Sequence, residues 1–325
     1  MSQGASPPGP QSRLSDPALP GLSPAQRDAM RALGRDWARD IQGNRKQVCE
    51  IYDAVHAALP ADGVRRVAGL AYGGDPRQQL DLYLPPDVTP ASALPVVVFV
   101  HGGAFLRGNK DASPYIYANV PRLFARLGYV GVNLEYRLAP QAPYPAGAQD
   151  VVAAVAWLRA SVGAYGGDAR RIVLIGHSAG GSHVASALSD PLFDGEAAGV
   201  AGAVLVSARL QADTLPDNPN AGGVIAYYGA HSAQQQQRAP MAFAQRLTAP
   251  LMVVFAEHEN PYLDLYALQY AARVAEAQRR APRVIQVPHH NHTSVVAHLG
   301  SADAALADAL SDFIESVVTQ RPASK

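Results

Sequence analysis

Cysteine is almost missing from this chain: Cys49 is the only one in 325 residues. A single thiol can form no intrachain disulfide and no thiolate cage, which excludes a disulfide scaffold and a cysteine-ligated zinc site. An excess of either charge is missing too, with Lys+Arg and Asp+Glu at 27 each. That balance gives no electrostatic reason to expect nucleic acid or an acidic membrane surface as a partner. No apolar run approaches the ~18 residues that span a bilayer. The longest, such as PVVVFV at 95–100, have the length of buried strands. The opening stretch MSQGASPPGPQSRLSDP lacks the apolar centre of a secretory signal. The expectation is a cytoplasmic protein, without a membrane or nucleic-acid partner.

Proline, glycine and serine crowd residues 1–22, which read as a disordered tail. A helix start follows. Ser23 is a candidate N-cap, Pro24 suits the first helical position, and Gln26 completes the spacing of a capping box. Helical pattern continues to about Leu59, with a break expected near Gly43. Residues 23–59 are therefore expected to form an amino-terminal helical cap, ahead of a catalytic domain over 60–325.

From Val64 the texture changes. Strand-like runs at 64–72 and 80–85 flank a turn. Apolar runs at 96–100, 129–134, 171–176, 199–207, 251–256 and 283–287 then alternate with helical stretches, apart from a less regular segment between 208 and 250. Continuous apolar strands alternating with helices predict an α/β fold, with a mostly parallel central sheet covered by helices on both faces. QQQQ at 234–237 reads as a polar loop or helix surface.

In such sheets, functional residues lie beyond the carboxyl ends of the strands. After RIVLIG comes GHSAGG (176–181), in which Gly176-x-Ser178-x-Gly180 sits between a strand and a helix. This is the spacing of a nucleophile elbow: small neighbours permit the sharp turn that pushes the Ser178 hydroxyl out at a helix N-terminus. After VVVFV comes HGGAF (101–105). Its two glycines let backbone N–H groups face a cavity. Gly103, Ala104 and Ala179 are expected to form an oxyanion hole, with Gly102 shaping the turn.

After LMVVFA comes EHENPYLD (257–264), where Glu257, Glu259 and Asp264 could each orient a histidine. Glu259 is the preferred acid because it lies on the loop past the strand, whereas Asp264 falls in the following helix. The last strand leads into PHHNHTS, with His289, His290 and His292 inside four positions. No partner motif of a metal site accompanies them. One of the three is expected to be a general base, with neither metal nor cofactor.

HGGAF (101–105), YRLAPQAPYPAGAQD (136–150), YGGDARRI (165–172) and GHSAGG (176–181) occur in an order that resembles the esterase/lipase branch of the α/β-hydrolases. The likeness is to hormone-sensitive-lipase-like and carboxylesterase-like enzymes, and covers about residues 64–320. It implies His292 as the base in a Ser178–Glu259–His292 triad, His290 as a neighbouring loop residue, and YRLAP with Asp150 as braces of the site's floor. It also implies that residues 23–59 cover the pocket, where Met30, Trp37, Ile41 and Tyr52 either line it or pack on the core. Two departures stand out. Glutamate occupies a position that usually holds Asp, and His177 precedes the serine where hormone-sensitive-lipase-like members usually have Asp.

The expected activity is cleavage of short-chain or aryl carboxylic esters through an acyl-enzyme, with a small-molecule ester as partner. An aryl formamidase, such as a kynurenine formamidase, would use the same triad. A non-catalytic binding protein on this fold is the rival from another class, and a homo-oligomer is left open.

Overall fold

The computed structural model describes residues 18–319. Eight strands form one sheet: β1 (Arg65–Ala71), β2 (Gln79–Leu84), β3 (Leu94–Val100), β4 (Val130–Leu134), β5 (Gly167–His177), β6 (Gly202–Val206), β7 (Leu251–His258) and β8 (Arg283–Asn291). Their spatial order is β1-β2-β4-β3-β5-β6-β7-β8. Strand β2 runs antiparallel to both its neighbours, β1 at the edge and β4, and β3 through β8 all run parallel. The expected fold class is therefore the one observed.

Strand β3 explains why such runs are apolar throughout. Successive side chains point to opposite faces: Val96, Val98 and Val100 enter one core, Val97 and Phe99 the other. The first core is closed by α4 (Ala146–Ser161), α5 (Ala179–Ser189) and α8 (Leu263–Gln278). The second is closed by α1 (Pro24–Arg35), α2 (Ile41–Ala57), α3 (Asn119–Arg126) and α10 (Ala305–Val318). Two short helices, α6 (Ala221–Tyr228) and α7 (Ser232–Arg238), fill the irregular segment, and α9 (Ser294–Ala297) follows β8. The glutamine run lies on α7, where Gln235 is buried and its amide donates to the Gly229 carbonyl at 2.9 Å. Among the described residues no helix is long and apolar enough to cross a membrane.

The capping box forms as expected, with Ser23 and Gln26 each accepting from the other's backbone N–H. Two expectations need correction. The break between α1 and α2 falls at 36–40, around a 3-10 turn at Trp37–Arg39, and not near Gly43. Asp40 caps α2 by accepting from the Gly43 N–H at 3.0 Å. A Cβ on Gly43 would lie 2.2 Å from that carboxylate, so this glycine admits the cap and does not end a helix. The tail boundary also shifts. Residues 1–17 lie outside the described residues, but Leu19 and Leu22 are buried in the second core.

Candidate active site

The sharp turn between β5 and α5 is set by sterics. A Cβ on Gly176 would lie 2.6 Å from the Gly180 carbonyl oxygen, and one on Gly180 would lie 2.2 Å from the Val100 carbonyl oxygen. No larger residue fits at either position. Ser178 between them takes φ 54° and ψ −120°, a strained region for a residue with a Cβ, costing on the order of 1–3 kcal/mol. Half-buried and facing a cavity, its hydroxyl lies 3.1 Å from His292 Nε2.

His292 is fixed from several sides. Its N–H donates to the His258 carbonyl at 3.1 Å, and its own carbonyl accepts from His177 Nε2 at 2.8 Å. Burial above all, then the neighbouring His292, holds His177 well below the ordinary imidazole range. His177 is thus a neutral ring carrying its hydrogen on Nε2, which gives the residue before the serine a positioning role. His292 Nδ1 lies 2.7 Å from Glu259 Oε2.

The carboxylate of Glu259 is almost fully buried and multiply held. Oε1 accepts from the Ala256 N–H at 2.9 Å and from the Ser207 hydroxyl, and Oε2 from the Asn260 N–H at 3.3 Å. The other two acids are elsewhere. Glu257 is exposed and accepts from the His289 N–H at 2.6 Å; Asp264 is exposed in the first turn of α8.

On the loop after β3, Ala104 has φ 51°, and a Cβ on Gly103 would lie 1.7 Å from the Arg107 carbonyl oxygen. The N–H groups of Gly103, Ala104 and Ala179 donate to no acceptor among the described residues. Ala179 opens α5, so its N–H has no partner within the helix. A Cβ on Gly102 would lie 3.0 Å from the Ser178 Cβ and from His177 Nδ1. The floor beneath is braced as expected. Tyr136 donates to the His101 carbonyl at 2.9 Å, and buried Asp150 accepts from Arg137 at 2.7 Å.

The arrangement is a polarised line from hydroxyl to imidazole to carboxylate, with free N–H groups beside the hydroxyl. A family model described as the prolyl oligopeptidase family matches residues 145–320, more than half of the chain. The BD-FAE model matches residues 80–196.

The chain belongs to the prolyl oligopeptidase family and has the α/β-hydrolase fold.

This α/β-hydrolase is 40% identical over 128 residues to esterase LipC of Mycobacterium tuberculosis, covering 38% of this chain and 31% of that one. It is 41% identical over 106 residues to carboxylesterase NlhH of the same organism, covering 31% and 30%. The matched region thus spans about a third of these curated relatives. Among solved structures, esterase B from Lactobacillus rhamnosis superposes with a TM-score of 0.70 at 22% identity, covering 90% of this chain and 96% of that one. A hyperthermophilic esterase from Pyrobaculum calidifontis gives 0.68 at 20%, covering 92% and 99%. At such identities the likeness is one of fold.

Helix α2 of this α/β-hydrolase reaches the cavity of about 220 Å³ in front of Ser178 through Ile41, Gln42 and Arg45. Met30, Trp37 and Tyr52 pack in the second core, so of the four residues expected to line or pack, only Ile41 lines. The three clustered histidines separate. His289 is exposed, His292 faces Ser178, and His290 is buried 3.3 Å from Asp303 and stacked at 4.0 Å on His298. The ligand atoms of His290, His298 and Asp303 lie within 4.8 Å of one another, the one such group among the described residues able to hold a cation.

Sequence reasoning missed Ser207, which directly follows β6 and holds Glu259, and Arg45, which α2 brings to the cavity. A polar residue at a strand's carboxyl end was the available signal for Ser207; for Arg45 there was none.

Proposed function

We propose that the protein is a serine hydrolase of carboxylic esters acting through an acyl-enzyme. The observation that carries this reading is the continuous line from Ser178 through His292 to Glu259, at 3.1 Å and 2.7 Å. With its Nδ1 hydrogen donated to Glu259, His292 presents a lone pair at Nε2 to the Ser178 hydroxyl. Ser178 attacks the ester carbonyl as its proton passes to Nε2. The N–H groups of Gly103, Ala104 and Ala179 stabilise the oxyanion, each worth roughly 3–4 kcal/mol at such a site. His292 then protonates the leaving alcohol, and water repeats the sequence to free the acid. Relatives named as esterases and carboxylesterases support the ester as substrate. A reducing, cytoplasmic setting suits the one cysteine, Cys49, a buried free thiol.

A fluorophosphonate probe should modify Ser178, read by peptide mass spectrometry. Ser178→Ala should lose the label and lower kcat on a short p-nitrophenyl ester by about 10⁴–10⁶. An unlabelled wild-type protein, or a variant that keeps most of its activity, would sink the proposal.

A further inference from the structure

Two guanidinium groups share the cavity with Ser178. Arg45 enters from the second turn of α2, and Arg107 from the loop that carries Gly103 and Ala104. Neither forms an ion pair with a carboxylate among the described residues, and no acidic side chain lines the cavity. Elsewhere in the chain Arg77 sits on Glu135, Arg137 on Asp150 and Arg209 on Asp213, while Arg159 and Arg238 bond to backbone carbonyls.

Arg45 is half-buried and lines the cavity together with Tyr117. Arg107 donates to Asn220 Oδ1 at 3.3 Å. The two lie close enough to repel: burial first, and then the charge of Arg45, pushes the Arg107 value down. Glu259 pairs with neither of them: its oxygens accept from His292, Ser207 and backbone N–H groups. Two like charges line the site with no carboxylate among the residues that face it. They focus a positive potential into the space where substrate must sit. Guanidinium is the side chain best matched to a carboxylate, through two parallel hydrogen bonds.

We propose that the pocket selects esters bearing a carboxylate a few bonds from the scissile carbonyl, with Arg45 and Arg107 as its specificity-determining residues. This rests on the ester-hydrolase reading above. The cavity of about 220 Å³ is below the ~300–1,000 Å³ usual for pockets that take drug-sized ligands. The substrates are accordingly small: half-esters of short dicarboxylic acids, or acyl esters of small hydroxy acids.

The test compares kcat/KM within two isosteric pairs. Monoethyl glutarate against the ethyl ester of glutaric acid monoamide places the charge on the acyl side. 3-Acetoxybenzoate against 3-acetoxybenzamide places it on the alcohol side. The wild-type enzyme should prefer the carboxylate by about tenfold or more in at least one pair, the scale of a single close charge pair. The favoured pair identifies the side. That preference should shrink between 0.05 M and 0.5 M NaCl through screening, and collapse toward unity in Arg45→Gln and Arg107→Gln. Labelling of Ser178 by fluorophosphonate is read in every variant. Labelled enzyme that fails to turn over the carboxylates, prefers the amides in both pairs, or keeps its preference in both variants overturns the inference alone. No label and no turnover overturns the ester-hydrolase reading, and this inference with it.

Discussion

At the scale of single residues, the acid of the triad is the sharpest question, because three carboxylates lie within eight positions of the chain. Geometry separates them by what each oxygen touches. Glu259 meets His292 at 2.7 Å while Ser207, Ala256 and Asn260 hold it still. Glu257 and Asp264 face solvent. Replacing the carboxylate with an amide removes the negative charge that stabilises imidazolium and favours the wrong imidazole tautomer. Glu259→Gln should therefore lower kcat on the order of 10⁴, whereas Glu257→Gln and Asp264→Asn should stay within a few-fold of wild type. Steady-state kinetics on one ester decides it, and a large loss in either of the last two variants would move the acid. Ser178 is legible in sequence because its chemistry and its strained turn share one local stretch. Glu259 is legible only as one of a set, since the choice depends on which oxygen reaches a histidine 33 residues further on.

At the scale of elements, α1 and α2 raise the question of whether a cap can be separated from the body it covers. Their starts are written locally, in the capping box at Ser23 and the Asp40 cap over Gly43. The faces they bury are not, because α2 is seated against α1 and α9, and α9 follows β8 far along the chain, where the His56 ring bonds to the Ala297 carbonyl 241 residues on. That is why Arg45 and Ile41 at the cavity could not be read from helical periodicity alone. Met30, Leu33, Trp37, Val48 and Tyr52 are all buried in the core beneath the sheet, and the Trp37 indole donates to Asn260 Oδ1 at 2.9 Å, next to Glu259. Burying each such side chain contributes about 1.5–3 kcal/mol, so the five together rival a net stability of roughly 5–15 kcal/mol. A chain starting at residue 60 should therefore lose cooperative thermal unfolding and fluorophosphonate labelling together. A truncated protein that unfolds cooperatively and still labels Ser178 would make these helices a dispensable lid.

At the scale of the whole molecule, buried histidines tie stability to pH. His56, His177, His183 and His298 are each held below the ordinary imidazole value, burial being the largest cause, and His183 is pushed down to about 3. In the unfolded chain each would take up a proton near pH 6.5, while the folded protein stays neutral at these positions far below that. Below pH 6.5 the unfolded state thus binds more protons, so stability rises with pH there and falls as acid is added. Each such histidine contributes up to about 1.4 kcal/mol per pH unit. Two carboxylates act in a lower window. Burial pushes Glu135 and Asp303 up, but His101 beside the first and His290 beside the second outweigh it and hold both below the usual range. Their contribution is present above the ordinary carboxylate value and is lost only as pH falls through the depressed one. Between pH 7 and pH 5, then, the histidines set the slope, and the urea midpoint should fall steadily across that interval. A flat or rising midpoint would mean that one or more of these rings gains a proton in the folded state, most directly His298, whose Nε2 lies buried without a partner beside His290 and Asp303.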